Sequence, residues 1–314
     1  MKLIGPFKQI IPMTGLSVKG AIKDGELAII EEGGILIDGD SILSIGKYDE
    51  LLAEAKSLSA EMHELSGDHT CLPGFVDAHT HICFAGSRAN DYALRNSGKT
   101  YLEISKAGGG IWDTVTQTRK ATKEALVKGI VKRGKRHLAN GVTTIEVKSG
   151  YGLSIPEELK MLYAIKEADT ILPLDLIPTC LAAHMVPKDY GGTPSGYLEE
   201  IANELLPKLK KEKLASRVDA FIEEGAFTSE LIAPYFTKAK ELGFDITVHA
   251  DQFSTGGSEV AIKYNAISAD HLEASTSKEI ALLAKSDVIA VALPGASLGL
   301  GCAFTPARKI LDAG

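Results

Sequence analysis

The stretch Leu72-Pro-Gly-Phe-Val-Asp-Ala-His-Thr-His81, LPGFVDAHTH, is a short apolar run that ends in two histidines one residue apart. In a β-strand, residues i and i+2 point to the same face, so His79 and His81 are predicted to project from one strand end into the same space. Such a pair is either half of a metal site or a coincidence of two surface histidines. The pattern of the remaining strands decides between these two interpretations.

Six further apolar segments follow, and amphipathic helical segments lie between them. The predicted strands cover residues 72–79, 142–150, 174–184, 218–225, 244–251, 266–271 and 288–295. The clearest helical segments, in which apolar residues recur every three or four positions, cover residues 124–141, 156–168 and 229–243. This alternation predicts a parallel sheet covered by helices, and seven units favour a TIM-like (β/α)₈ barrel over an open doubly wound sheet. No Gly-x-Gly-x-x-Gly motif follows the first strand, which further weakens a dinucleotide-binding alternative.

The first 70 residues have a different pattern. Residues 27–52 alternate short apolar runs with Gly-Gly and Asp-Gly turns, which is typical of antiparallel hairpins. The sequence therefore predicts a small β-rich, sandwich-like domain over residues 1–70 and a barrel over residues 71–314. Only seven strand–helix units are found, so we expect a barrel truncated after the seventh unit, with the eighth strand missing from this chain.

Composition narrows the function. No apolar run approaches the roughly 18 residues of a membrane span, and the first residues lack a signal-peptide pattern, so a cytoplasmic location is expected. The net charge of −7 argues against a general nucleic-acid-binding protein. The four cysteines have no C-x-x-C pairing, which indicates neutral thiols rather than a zinc cluster or a disulfide framework. The oligomeric state, monomer or homodimer, stays open.

Five of the eight histidines fall at predicted strand ends, on the side of a barrel that carries active sites. They are His79, His81, His184, His249 and His271. Neutral imidazole suits Zn²⁺ or Fe²⁺, and a catalytic site needs about three or four protein ligands. His79, His81 and His249 are the best candidates, because the first and fifth strands face each other across a barrel. Charged residues at other strand ends are Glu146, Lys148, Glu223 and Glu224.

Longer motifs resemble a known family. LPGFVDAHTH, the strand-five VHAD (248–251) and the strand-six ADH (269–271) resemble the amidohydrolase superfamily. Within it, HICFAGSRANDYALRNSGKTYLEI (81–104), GVTTIEVKSGYGL (141–153) and TCLAAHMVP (179–187) are similar to the imidazolonepropionase family of histidine degradation. The resemblance covers essentially the whole chain, but the family's C-terminal part with the eighth strand is not matched. It implies a hydrolase that opens the ring of the small molecule 4-imidazolone-5-propanoate, giving N-formimidoyl-L-glutamate.

The resemblance also implies a set of site residues. One metal ion, zinc or iron, divalent or trivalent, would be bound by His79, His81 and His249, with an aspartate from the eighth strand completing the set. His271 would lie near the reacting water as a catalytic residue.

The substrate-binding residues implied by the resemblance are Arg88, Tyr101, Tyr151, His184 and Gln252. A guanidinium binds a carboxylate through two parallel hydrogen bonds, so Arg88 suits the propionate group. Tyr151 and His184 match the family's other substrate contacts. Tyr101 lies beside the glycine-rich segment 106–111 and is expected to help close the pocket.

Gln252 lies three residues after the strand-five histidine, where related deaminases have a glutamate that transfers protons. An amide cannot exchange protons at neutral pH and can only form hydrogen bonds. Gln252 therefore argues against a deaminase and for recognition of the ring's amide edge, while a catalytic role for it stays open. Strand four has Glu223 and Glu224 but no lysine that could form a carbamate bridge, which favours a single metal ion.

Three functions remain open from the sequence. The first is imidazolone ring opening, and the second is another mononuclear amidohydrolase activity, such as that of a nucleobase deaminase. The third is a non-catalytic chain that keeps the fold as a scaffold or fragment. The histidines at the strand ends argue against this third function, whereas the missing eighth strand argues for a fragment.

Overall fold

The computed structural model describes residues 1–99, 103–104 and 108–314. These residues divide into two compact units, one formed by Met1–Gly74 with Gly314 and the other by Phe75–Ala313. The first unit is a small β-sheet with a helix packed on it, and the second is a parallel sheet surrounded by helices.

The small unit contains a single mixed sheet of five strands. They are β1 (Lys2–Ile10), β2 (Ile30–Asp38), β3 (Ser41–Lys47), β4 (Glu61–Glu64) and β5 (Thr70–Cys71). β2 is antiparallel to both β1 and β3, and Gly39, at φ +55°, makes the tight turn between β2 and β3. β4 and β5 are parallel to β1. A 3₁₀ turn covers Asp24–Glu26.

A helix occupies the position that a second sheet would take in a sandwich. Helix α1 (Tyr48–Ser57) buries Tyr48, Leu51 and Ala55 in one cluster with Leu3 and Leu36 of the sheet. The spacing of three and four residues places these side chains on one face of a helix. The sandwich-like expectation is corrected to one sheet with one helix, because the apolar residues after β3 recur with a helical period.

The large unit is built on seven parallel strands that lie side by side in chain order. They are β6 (Phe75–Asp77), β7 (Val142–Lys148), β8 (Asp175–Ala183), β9 (Arg217–Ile222), β10 (Asp245–Ala250), β11 (Ser268–His271) and β12 (Ile289–Ala292). Each lies within or overlaps one of the seven predicted strands. The predicted barrel-type α/β fold is therefore confirmed.

Helices alternate with these strands. They are α2 (Ala89–Asn96), α3 (Ile111–Lys120), α4 (Lys123–Leu138), α5 (Ile155–Asp169), α6 (Pro194–Glu200), α7 (Leu206–Glu212), α8 (Ser229–Glu241), α9 (Gly257–Lys263), α10 (Ser277–Leu283), α11 (Pro294–Leu300) and α12 (Ala307–Asp312). A π-helical turn, Ile201–Leu205, joins α6 to α7. Over the residues that the structure describes, no helix combines the length and the apolar character needed to cross a membrane.

The sheet of the large unit is strongly curved. In a flat sheet with strands about 4.8 Å apart, β6 and β11 would be separated by about 24 Å. Instead, Nδ1 of His79, two residues after β6, lies 2.6 Å from Oδ2 of Asp270 in β11. The curvature therefore gathers the C-terminal strand ends around one space.

The outermost strands of this sheet are exposed, whereas the inner strands are buried. Phe75 and Val76 of β6 are 57% and 66% exposed, and Ile289 of β12 is 64% exposed. Across the described part of the chain, β6 pairs only with β7 and β12 pairs only with β11. Each outer strand thus has one unpaired edge, the position where a closed eight-stranded barrel has a further strand.

Candidate metal centre and active site

Four histidines meet at the C-terminal strand ends. Nε2 of His81 lies 3.2 Å from Nε2 of His79 and 3.2 Å from Nε2 of His249. His79, His249 and His271 also offer ring nitrogens that all lie within 4.8 Å of one another. Zinc–nitrogen bonds of about 2.0–2.1 Å place neighbouring ligands of a tetrahedral ion about 3.3–3.4 Å apart. The two distances at His81 therefore match the separation of neighbouring ligands of a single ion.

Aspartates contact two of these imidazoles at Nδ1, the ring nitrogen that faces away from the centre of the cluster. Nδ1 of His79 lies 2.6 Å from Oδ2 of Asp270, and Nδ1 of His249 lies 3.1 Å from Oδ1 of Asp219. An ionised carboxylate can only accept, so each Nδ1 carries the hydrogen and each Nε2 presents a lone pair to the centre. Carboxylates in this position commonly orient metal-binding histidines and make them more basic.

Burial keeps the imidazoles of His79, His81, His184 and His249 uncharged at neutral pH. It lowers the pKa of His79 and of His81 well below the usual value, and for His79 the Lys148 ammonium adds to the effect. Burial also lowers the pKa of His184 to about 4 and that of His249 to about 3, the latter against the opposing charge of Asp219. A histidine must be neutral to bind a metal, so these lone pairs are available.

The charges beneath the histidines fit a divalent cation. Lys148 is a single buried ammonium, and it forms ion pairs with three carboxylates, those of Glu146, Asp219 and Asp270. Burial raises the pKa of Glu146 to about 7, although Lys148 opposes this. Oδ1 of Asp270 is buried and has no hydrogen-bond partner within the described residues. A nearby dication would compensate this excess of buried negative charge, which is otherwise costly.

The histidine cluster opens into a cavity of 540 Å³. This volume lies in the usual range for small-molecule sites. Four of the five predicted substrate-binding residues line it, namely Arg88, Tyr151, His184 and Gln252. The fifth, Tyr101, lies outside the described residues.

Arg88 lies at the cavity wall with about one third of its side chain exposed. Its Nε donates a hydrogen bond to Asp91, and the same carboxylate accepts the backbone N–H of Gly110 at 2.9 Å. Asp91 therefore links Arg88 to the start of α3 and fixes the orientation of the guanidinium. A guanidinium held in a fixed orientation is suited to bind a carboxylate through two parallel hydrogen bonds.

His184 presents an acceptor to the cavity. Its Nδ1 lies 2.9 Å from the backbone oxygen of Gly150, and because a carbonyl can only accept, Nδ1 must carry the hydrogen. Nε2 is then a lone-pair acceptor for a ligand N–H group. The ring stacks on His81 with centroids 5.6 Å apart and lies 5.5 Å from the ring of Tyr151.

A buried carboxylate fixes the loop that carries Tyr151. Glu158, in the first turn of α5, accepts the backbone N–H groups of Gly150 at 3.0 Å, Gly152 at 2.8 Å and Leu153 at 2.8 Å. A Cβ on Gly152 would lie 2.5 Å from the backbone nitrogen of Glu158, so only glycine fits this approach. The loop and the helix are thus joined by three hydrogen bonds to one side chain.

Comparison with known proteins identifies the family. No protein-family model matches the chain. The sequence is 40% identical over 316 residues to an imidazolonepropionase from Bdellovibrio bacteriovorus, and this alignment covers 99% of the chain and 74% of that protein. The chain belongs to the imidazolonepropionase family.

Solved structures with the same fold are more distant in sequence. A triazine hydrolase from Arthrobacter aurescens has a TM-score of 0.72 at 16% identity, covering 99% of this chain and 69% of that chain. An atrazine chlorohydrolase from the same organism, complexed with zinc, has a TM-score of 0.65 at 16% identity, covering 100% and 70%. These likenesses show that this member of the imidazolonepropionase family has an amidohydrolase-type fold.

The structure gives Glu223 a role that its position in the sequence did not suggest. It accepts hydrogen bonds from the backbone nitrogens of Phe253 at 2.9 Å and Ser254 at 3.1 Å, and from the Ser254 hydroxyl. These bonds shape the loop that follows Gln252, which is almost buried at the cavity wall. Glu223 is therefore a support for this loop and lies outside the histidine group that could hold a metal ion.

Sequence reasoning missed Asp219 and Asp270. Asp219 could have been found, because it alternates with Phe221 in β9 and so shares the face that lines the cavity. Asp270 directly precedes His271, and neighbouring strand residues normally point to opposite faces. Asp270 and His271 nevertheless both reach the interior, because the backbone leaves the strand at His271, whose φ is +86°. This departure from strand geometry is not visible in the sequence.

Proposed function

We propose that this protein is a metal-dependent hydrolase that opens the ring of 4-imidazolone-5-propanoate and yields N-formimidoyl-L-glutamate. One observation carries the proposal: five histidines, an arginine and a glutamine converge on one cavity in a member of the imidazolonepropionase family. The reaction hydrolyses a carbon–nitrogen bond of a cyclic amide.

The proposed metal ligands are His79, His81 and His249, and the ion is zinc or iron. The spacing of their Nε2 atoms and the carboxylates behind two of the rings support this assignment. When bound, the metal would lower the pKa of a water molecule toward neutrality and polarise the ring carbonyl.

His271 is the proposed proton carrier. Its Nδ1 lies 3.5 Å from a carboxylate oxygen of Glu273, while the ring lines the cavity. When the ring takes a proton from the attacking water, this carboxylate stabilises the imidazolium that forms. His271 can then return the proton to the ring nitrogen that leaves the carbonyl carbon.

The other proposed roles concern binding. Arg88 binds the propionate carboxylate, and Nε2 of His184 accepts a hydrogen bond from a ring N–H. Gln252 offers both a donor and an acceptor, which matches the amide edge of the imidazolone. The Tyr151 hydroxyl completes the contacts to the substrate.

The test is to incubate zinc- or iron-loaded protein with 4-imidazolone-5-propanoate and to follow the loss of its ultraviolet absorbance. We expect N-formimidoyl-L-glutamate as the product, with no ammonia. Ammonia release with an intact ring would indicate a deaminase instead. A thermal shift on adding substrate without any turnover would indicate a non-catalytic scaffold.

A further inference from the structure

Lys148 is a buried lysine that takes no part in the proposed reaction. It is the last residue of β7, and its side chain is completely buried. Nζ donates to Oε1 of Glu146 at 2.7 Å and to Oδ2 of Asp219 at 2.6 Å, and it lies 3.6 Å from Oδ2 of Asp270. A buried ammonium is stable only with such partners, and its position among these three carboxylates is therefore specific.

Two of these partners are the carboxylates behind the histidines. Asp219 uses its other oxygen, Oδ1, for the ring of His249, and Asp270 accepts from the ring of His79. Two chains of polar contacts thus start at the same nitrogen atom. They end at imidazoles that belong to segments on different sides of the curved sheet, one after β6 and one in β10.

The same strand also fixes the backbone between His79 and His81. The Thr80 hydroxyl donates to the backbone oxygen of Glu146 at 2.6 Å, and the Thr80 N–H points to Oε2 of Glu146 at 3.3 Å. The backbone nitrogen of Lys148 donates to the Thr80 oxygen at 3.0 Å. Residues Glu146 and Lys148 therefore hold the backbone of the H-x-H segment as well as the carboxylates beneath it.

We propose that Lys148 is a positioning residue of the metal centre: its ammonium fixes Asp219 and Asp270, and through them the ring orientations of His249 and His79. This inference rests on the proposed metal centre. Without the ammonium, two neighbouring carboxylates repel each other and can rotate, so the two rings lose their common alignment. Ring misalignment weakens binding because all Nε2 lone pairs must point at the same ion.

The first experiment replaces the lysine by a neutral side chain of similar length, Lys148→Met. The dissociation constants for Zn²⁺ and Co²⁺ are measured by chelator competition, and the visible spectrum of the Co²⁺ protein reports the ligand geometry. We expect metal binding to weaken by about 10–100-fold, with a changed Co²⁺ spectrum. Unchanged affinity and spectrum would overturn the proposal.

Lys160→Met is the matched control. Lys160 is partly buried and donates to the backbone oxygens of Thr118 and Arg119, away from the histidines. The Lys160→Met substitution removes the same charge from the same unit as Lys148→Met does. The metal affinity and the Co²⁺ spectrum of the Lys160→Met protein should therefore equal those of the unmodified protein. If this control weakens metal binding as much as Lys148→Met does, the effect is a general loss of structure and the proposal fails.

A double-mutant cycle separates positioning from a general structural role. If Lys148 acts through Asp219, then Lys148→Met weakens metal binding by a smaller factor in the Asp219→Asn protein than in the unmodified protein. Equal factors in the two backgrounds would show that Lys148 acts independently of Asp219, which contradicts the proposed chain of contacts.

A charge-matched variant covers the case in which Lys148→Met does not fold. Lys148→Met combined with Glu146→Gln removes one positive and one negative charge together. We expect this double variant to fold and to bind metal about 10–100-fold more weakly than the unmodified protein. If the double variant binds metal as tightly as the unmodified protein, the proposal is wrong. Failure of the unmodified protein to bind metal would instead refute the metal centre itself.

Discussion

Replacing Glu158 with glutamine changes one oxygen of a fully buried side chain into an NH₂ group. Oε1 accepts the N–H groups of Gly152 and Leu153, both at 2.8 Å, and Oε2 accepts that of Gly150 at 3.0 Å. The amide oxygen can keep two of these bonds. Its NH₂ group then faces the N–H of Gly150, so two donors oppose each other and one buried N–H loses its partner.

The expected cost follows from these contacts. An unsatisfied buried N–H costs about 1–3 kcal/mol, and the remaining bonds lose their charge assistance. An amide is cheaper to bury than a carboxylate, and burial already raises the pKa of Glu158, which offsets part of this loss. We therefore expect a loss of about 1–3 kcal/mol in stability, or a thermal midpoint lower by about 2–12 °C.

The assay is thermal unfolding of Glu158→Gln at pH 7, followed by circular dichroism. Glu157→Gln is the control, because Glu157 lies in the same helical turn but pairs with the side chain of Lys160 instead of with the backbone of the loop. The loop carries Tyr151, so kcat/KM should fall for Glu158→Gln as well. A midpoint and a kcat/KM equal to those of Glu157→Gln would refute the idea that Glu158 holds this loop.

Three further predictions concern the cavity and the sheet. Arg88→Ala should lower kcat/KM by about one to two powers of ten, since a charge-assisted pair contributes about 1.5–3 kcal/mol; unchanged kinetics with 4-imidazolone-5-propanoate would contradict its role. Acid should destabilise the metal-free protein. Unfolded histidine binds a proton below about pH 6.5, whereas His184 and His249 stay neutral in the folded state down to a pKa of about 4 and about 3. The unfolded state therefore binds more protons in this window, and each histidine removes up to about 1.4 kcal/mol per pH unit as the pH falls. Glu146, with its pKa raised from 4.5 to about 7, acts in the opposite direction and offsets one histidine. Urea unfolding measures the net effect, and we expect a lower free energy of unfolding at pH 5.5 than at pH 7. Equal free energies of unfolding at the two pH values would contradict this prediction. Residues 1–314 expressed alone should bind metal more weakly and turn over more slowly than a version with a strand added between β6 and β12, because both strands have an unpaired edge. Tightly bound stoichiometric metal with the same turnover in monomeric 1–314 would show that such a strand is dispensable.

The pattern of apolar runs was sufficient to predict the parallel sheet, because strands buried on both faces are nearly continuous in Val, Ile, Leu and Ala. The spacing of His79 and His81 also predicted that both rings reach one space, and the structure places their Nε2 atoms 3.2 Å apart. These inferences depend on the local period of the chain, which the sequence displays directly.

The supporting carboxylates could not be assigned in the same way. Glu158 and Glu223 each bind the backbone of a loop, and Asp270 reaches a histidine 191 positions earlier. Such partners are determined by the curvature of the sheet and by the path of each loop. The sequence shows an acidic residue near a strand or helix end, but not which backbone N–H or imidazole it meets.

The proposals made for this protein depend on one metal ion held by His79, His81 and His249. Anomalous X-ray diffraction from crystals of the zinc-loaded protein would locate that ion directly. We predict a single strong peak about 2.0–2.1 Å from the Nε2 atom of each of the three histidines. No peak at this position in the presence of saturating zinc, or a peak bound by only one of the three rings, would contradict the account.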